Sequence, residues 1–345
     1  MMNNIQGEPL NAVFILGADA FERTYSPKDR AELGEFVRFV HPPITGGITP
    51  EHSAVLAETD IVFSGWGAPV VDAAFLSAVP RLRAFFYGAG ATGGLIHQAV
   101  FDRGIVVSSA NDINAAPVAE WAFAMVVLSL KNAFRWMRHA HGSGAFPREM
   151  PGIRGAYRTT VGLVSFGAIA KQLRGRLRTL DVEVLVHDPF LTEADAMRWN
   201  VRPMTLGELF RESDVVSLHT PWLPETEGMI NGELIATMKP DATLLNTARG
   251  AIVREAELMT VLAARPDLNA VLDVTHPEPP PPGYALWTLP NVFLTPHIAG
   301  SVGREPLRMG RFMVDEFHRF RRGEPLLGEI VPQATANTAH RIPTK

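Results

Sequence analysis

Residues 159–190 read TTVGLVSFGAIAKQLRGRLRTLDVEVLVHDPF, and this stretch decides the fold. An apolar run over 161–166 meets a turn of small residues, and a pattern of helical period follows from Ala168 to Leu180. A second apolar run, 184–186, ends on Asp188. Strand, turn, helix, strand and acid in that order form a dinucleotide-binding unit. The glycine fingerprint is imperfect: Ser165, Gly167 and Ala170 occupy its three positions. Gly167 keeps the place where backbone approaches a pyrophosphate, and Ala170 is small enough for close helix–strand packing. Ser165 departs from the pattern, since a tight turn favours a residue without Cβ. Asp188 is placed to accept bonds from an adenosine ribose. It would repel a 2′-phosphate, and no adjacent Arg offsets it, so the spacing predicts NAD rather than NADP.

Outward from this unit, 345 residues exceed most single cores and predict two domains. A net charge of −4 with no dense basic run gives no support for nucleic-acid binding. The absence of cysteine excludes disulfides, thiolate nucleophiles and Cys-based metal sites, and no metal is expected. No basic segment followed by an apolar core opens the chain, so no signal peptide is expected and a cytoplasmic enzyme is the default. The most apolar helical segment, 115–130, contains Glu120 and falls short of the ~20 apolar residues of a membrane span. It is expected to be a buried helix, with no membrane partner.

Before the unit, residues 13–16, 61–63, 82–87 and 105–107 read as strands, alternating with helices over 27–37, 50–58 and 72–79. That alternation predicts a small parallel α/β domain. Its loops 64–67 and 88–94 are glycine-rich and follow strands, where ligands of open α/β sheets bind and backbone N–H groups can cradle an anion. A long helix, 117–139, follows, with Trp121, Met125, Leu128 and Phe134 at helical spacing and further apolar positions between them. More than one buried face is implied, hence a homodimer. After the unit, strands at 215–218, 243–245, 271–274 and 292–294 bring the second half to six. A helix over 302–322 and a polar tail complete the chain.

The last three strands end in NTARG (246–250), DVTHPEP (273–279) and TPHIAG (295–300). A parallel sheet lays these tips along one rim, so Arg249, Glu278 and His297 can meet although far apart in sequence. Their chemistry suits hydride transfer on a 2-oxo or 2-hydroxy acid. Arg offers a planar, permanently charged fork to a carboxylate. His is the natural proton donor near neutral pH, and a carboxylate beside it orients the ring and stabilises its protonated form. His219 and His276 are competing histidines at other strand tips.

With those motifs in order, the chain resembles the D-isomer-specific 2-hydroxyacid dehydrogenase family, as do segments 116–127 and 219–231. The resemblance covers roughly residues 60 to 320. It implies two doubly wound parallel-sheet domains, a Rossmann-type NAD domain and a flavodoxin-like substrate domain, with a cleft between them. The substrate domain would be discontinuous, 1–110 plus 300–330, around an NAD-binding domain at 111–299, leaving 331–345 as a tail. By resemblance Arg249, Glu278 and His297 are catalytic, and Ala89, Gly90, Arg249 and His297 hold substrate. Cofactor contacts would come from Ser165, Phe166, Gly167, Ala168, Ile169, Asp188, His219, Thr220, Pro221, Thr226, Thr247, Ala248, Arg249, Asp273, His297 and Gly300. Thr92 stands where an Asp-containing turn is frequent, and Thr275 where an aromatic residue is common. The implied activity is NAD-dependent interconversion of a small 2-oxo acid and its D-2-hydroxy acid. The alternative is a dinucleotide-sensing, corepressor-like binding protein on the same scaffold, and a relative acting on formate or phosphite is a third reading.

Overall fold

The computed structural model describes residues 10–332. The expected tail at 331–345 lies outside the described residues from 333 onward. Contacts divide the chain into two units, one running to Asn114 and resuming at Ser301, the other spanning Ala115–Gly300.

The first unit has five parallel strands: β1 (Leu10–Ile15), β2 (Val37–Phe39), β3 (Ile61–Ser64), β4 (Ala84–Tyr87) and β5 (Val106–Ser109). Their order, β2-β1-β3-β4-β5, is that of flavodoxin-like sheets. β1, β3 and β4 are buried at every position because helices cover both faces. One face packs Phe14, Phe63 and Phe86 against Met309, Met313 and Phe317 of the terminal helix Pro306–Arg322. The other packs Val62, Phe85 and Val107 against Phe75, Leu95 and Val100. The helix expected at 27–37 ends at Gly34, opened by a Ser26 capping box with Asp29. Sequence reading missed β2 and the helices Ala18–Thr24 and Gln98–Asp102.

The second unit has seven parallel strands where six were expected: β6 (Tyr157–Val164), β7 (Asp181–His187), β8 (Arg202–Pro203), β9 (Val215–Leu218), β10 (Thr243–Asn246), β11 (Asn269–Leu272) and β12 (Val292–Leu294). The extra strand is the two-residue edge β8, too short to leave a pattern. The order β12-β11-β10-β9-β6-β7-β8 reverses direction between β6 and β9, as in Rossmann sheets.

The single helix expected over 117–139 is two, Asn111–Leu130 and Ala133–Ser143, broken where Asn132 takes a left-handed φ of 47°. Asn132 is buried, and its side-chain oxygen accepts from Asn269 of β11 at 3.3 Å. Asn111–Leu130 is long and apolar enough to cross a membrane. Its Ala119, Ala122, Val126 and Leu130 instead pack on Val161 and Leu163 of β6, while Trp121, Met125 and Leu128 are only half-buried.

In the first unit, a Cβ at Gly310 would lie 1.8 Å from the carbonyl oxygen of Thr24. The obstacle is backbone, which cannot swing aside. Gly310→Ala is expected to cost about 2–3 kcal/mol and to lower Tm by about 5–10 °C. An unchanged melting curve would show that the helix is free to shift.

Candidate active site

The site begins at the switch point between β6 and β9. Ser165 follows β6 with φ 70°, a left-handed conformation that a β-carbon disfavours by about 1–2 kcal/mol. Its hydroxyl bonds the Thr220 hydroxyl at 3.0 Å, tying the β6 turn to the β9 tip. Gly167 then caps the helix Ala168–Leu177 with no side chain answering its first N–H groups. A Cβ at Gly167 would meet nothing within 4 Å, so the helix start lies open. Exposed N–H groups and the positive end of the helix dipole form an anion site.

Asp188, after β7, accepts from the Phe166 N–H at 2.6 Å and the Phe190 N–H at 2.7 Å, which places its carboxylate against the same turn. At the β9 tip, His219 Nε2 faces the Ser217 hydroxyl at 3.0 Å. Its Nδ1 is shut off from solvent without a hydrogen-bond partner, although the residue is partly exposed. Burial depresses this ring to about 4, so it is neutral near pH 7. The Thr226 hydroxyl is used locally, donating to the Pro221 carbonyl at 2.6 Å. Thr247 Oγ1 is likewise buried and unpartnered. Two orphaned polar atoms, an open helix start and an acid at the β7 end fit a dinucleotide.

The Arg, Glu and His tips follow β10, β11 and β12, which are neighbours in register. The Asn246 side chain braces the first tip, accepting from Ala248 N–H at 3.0 Å and donating to the Arg249 carbonyl at 3.0 Å. Arg249 Nη1 donates to the Ala248 carbonyl at 2.6 Å. Surrounding protein lowers the Arg249 pKa and the Glu278 charge raises it. Because the side chain is still exposed to water, the first effect is weak and the guanidinium remains a cation. A Cβ at Gly250 would fall 2.0 Å from the Thr275 carbonyl carbon. Only glycine lets the Arg tip lie against the loop that carries Glu278.

His297 Nδ1 lies 2.7 Å from Glu278 Oε1. The histidine has φ 54°, held by its loop. Asp273 Oδ1 accepts from the Ile298 N–H at 2.8 Å and from the Thr295 hydroxyl at 2.6 Å. Its Oδ2 accepts from the Ala299 N–H at 2.9 Å, and its carbonyl accepts from His297 N–H at 3.0 Å. Asp273 is buried, and these partners take up both of its carboxylate oxygens. Gly300 closes the same loop, 4.0 Å from Val118 by way of a virtual Cβ. The ring of His276, the competing histidine, lies roughly perpendicular to that of Trp222 with 5.5 Å between centroids. Among the described residues no group of three His, Asp or Glu could hold a metal ion.

In the first unit, Ala89 and Gly90 are buried in the loop after β4. The Ser109 hydroxyl donates to the Gly90 carbonyl at 2.8 Å, and a Cβ at Gly90 would lie 2.7 Å from Asn114 Nδ2. Thr92 is buried beside them, its carbonyl accepting from Leu95 N–H. Sequence reading missed the clamp by Asp273 and the close approach at Gly250. A glycine directly after the arginine was the one available signal for the latter.

Comparison with known proteins adds an independent finding. Residues 123–299 match the sequence profile described as "D-isomer specific 2-hydroxyacid dehydrogenase, NAD binding domain". The chain is 34% identical over 250 residues to the (S)-sulfolactate dehydrogenase of Chromohalobacter salexigens, covering 72% of this chain and 81% of that protein. It is also 34% identical to the D-3-phosphoglycerate dehydrogenase of Bacillus subtilis, covering 69% of this chain but only 45% of that longer protein. Among solved structures, a phosphoglycerate oxidoreductase from Rhizobium etli shares the fold with a TM-score of 0.81 at 21% identity, over 95% of this chain and all of that one.

Gly250→Ala is expected to force the Arg249 and Glu278 tips apart and to lower turnover by at least about tenfold. Tryptophan-to-NADH energy transfer should still report binding at Gly167. Wild-type turnover in this variant would refute the close approach.

Proposed function

The chain belongs to the D-isomer-specific 2-hydroxyacid dehydrogenase family and carries its NAD-binding domain, and on that premise we propose that it interconverts a small 2-oxo acid and its D-2-hydroxy acid, with His297 as the acid/base. The observation that carries this reading is the 2.7 Å pairing of His297 Nδ1 with Glu278, whose strand β11 neighbours the β10 strand that leads to Arg249. Both side chains of the pair are more than two-fifths exposed. An ion pair so open to water is worth at most about 1 kcal/mol of stability. Its arrangement therefore serves chemistry better than folding.

NAD(H), when bound, supplies or accepts the hydride. Its pyrophosphate would lie at the Gly167–Ile169 helix start, with Asp188 toward the adenosine ribose and the 219–221 and 247–248 segments completing the contacts. The Arg249 guanidinium pairs with the substrate carboxylate. Glu278 receives the Nδ1–H of His297, which fixes the tautomer and leaves Nε2 to exchange the proton. In reduction Nε2 donates its proton to the carbonyl oxygen while the adjacent carbon takes the hydride, giving the hydroxy acid. In oxidation Nε2 takes the hydroxyl proton, and Glu278 stabilises the imidazolium that results. Of the loop residues Ala89 and Gly90 assigned to the substrate, Gly90 keeps its backbone N–H for it, whereas the Ala89 N–H donates to the Tyr87 carbonyl at 2.8 Å. The same reading includes a cytoplasmic homodimer, which light scattering at micromolar concentration would test by its mass.

Absorbance of NADH mixed with glyoxylate, pyruvate, hydroxypyruvate and bulkier 2-oxo acids should fall with at least one of them. Silence across the panel would overturn the enzyme reading. His297→Ala should lower turnover by about 10² or more while NADH still binds. Normal turnover in that variant would remove His297 from its role. Asp188→Ala should weaken NADH binding and narrow the preference for NAD(H) over NADP(H), and an unchanged ratio of the two affinities would free Asp188 from the ribose.

A further inference from the structure

Glu255 opens the helix Glu255–Ala264 and is buried, though it faces no step of the proposed reaction. Its Oε1 accepts from the His276 N–H at 2.6 Å, in the loop that carries Glu278 two residues later. Its Oε2 is buried and has no hydrogen-bond partner. The Tyr284 hydroxyl is within electrostatic reach, but no bond of acceptable geometry reaches Oε2. Glu278 also lies within reach and repels a charge on Glu255. On its own helix, Arg254 is spent on Glu257 at 3.3 Å and on the Gly228 carbonyl at 2.9 Å. Glu257 accepts from the Gly232 N–H at 2.7 Å. The His276 ring lies beside Trp222. No cation among these groups is bonded to Glu255.

Resting on the reading of His297 above, we propose that Glu255 is a positioning residue for the Glu278–His297 pair. Its carboxyl fixes the Glu278 loop through the His276 N–H and brings a second, titratable negative charge close to Glu278. A merely structural anchor would be satisfied by an amide, or by a carboxylate with both oxygens bonded. Here one oxygen holds the loop and the other has only the nearby Tyr284 hydroxyl, outside bonding geometry, an arrangement that favours the neutral acid. Burial pushes the carboxyl up to about 7; the His276 N–H and Tyr284 oppose that shift, and the Glu278 charge adds to it. Below that value the neutral acid leaves Glu278 alone beside His297. Above it a second anion favours the charged imidazole, the form that donates a proton in reduction. Reduction is thereby sustained to higher pH than a single carboxylate would allow.

Glu255→Gln keeps an oxygen for the His276 N–H and removes the titration. Its reduction rate at pH 8.5 relative to pH 6 should be about threefold lower than the same ratio in wild type. Equal ratios would overturn the proposal. A second measurement needs no turnover. A folded value raised above the unfolded one means that the penalty for ionisation is absent below about pH 4.5, grows as pH rises, and is complete above about pH 7. The Tm of the Gln variant minus that of wild type should therefore rise by about 5 °C between pH 5 and pH 8, and a constant difference would show that Glu255 does not titrate there. Glu255→Ala, which also releases the His276 N–H, should cost turnover at both pH values, and full turnover would end the positioning role. His297→Ala separates the two ideas. Normal turnover there sinks the acid/base reading itself, whereas an inactive His297→Ala with equal ratios in Glu255→Gln sinks only the role of Glu255.

Discussion

Asp273 keeps the loop after β12 in the one shape that turns His297 toward Glu278. Four bonds converge on this residue from Thr295, His297, Ile298 and Ala299. Hydrogen bonds to a carboxylate are worth more than neutral ones, and burial strengthens them further. That is how a non-glycine residue sits at φ 54°. Loosening the clamp would free the imidazole to leave its carboxylate without altering either group. The reactive pair thus inherits its geometry from an acid that is already fully occupied.

The same economy recurs along the rim. Ser165 accepts a left-handed backbone and returns a hydroxyl bond to Thr220 across the switch point. Gly250 gives up a side chain so that two strand tips can touch. Asn246 uses both ends of its amide to shape a single turn. The Ser165 and Gly250 devices act between neighbouring strands and the Asn246 turn within one tip, and the parallel register of β6, β9, β10 and β11 brings all of them to one edge.

Much of this was legible in the amino-acid order because parallel sheets are strict. Buried strands such as β1, β3 and β9 read as near-continuous apolar runs, and short connections leave few alternative topologies. Placing Arg249, Glu278 and His297 on successive tips needed only that rule. What escaped was decided by contacts distant in sequence. Edge strands β2 and β8 are too short to show alternation. The break at Asn132 answers to Asn269 on another strand, so no local pattern marks it. Asp273 reads as a cofactor contact and Glu255 as an ordinary acid until their backbone partners, more than twenty residues away in each case, are known.

The terminal helix Pro306–Arg322 belongs to the sheet that begins at Leu10, while Ala115–Gly300 lies between them in the chain. During synthesis the aromatic surface of Phe14, Phe63 and Phe86 therefore waits for Met309, Met313 and Phe317 until the intervening unit has been made. At ribosomal speed that delay is on the order of ten seconds or more. The inserted unit, whose strands are contiguous in the chain, can fold first on the ribosome. The nascent five-stranded sheet stays half-covered for that interval, a natural client for a chaperone.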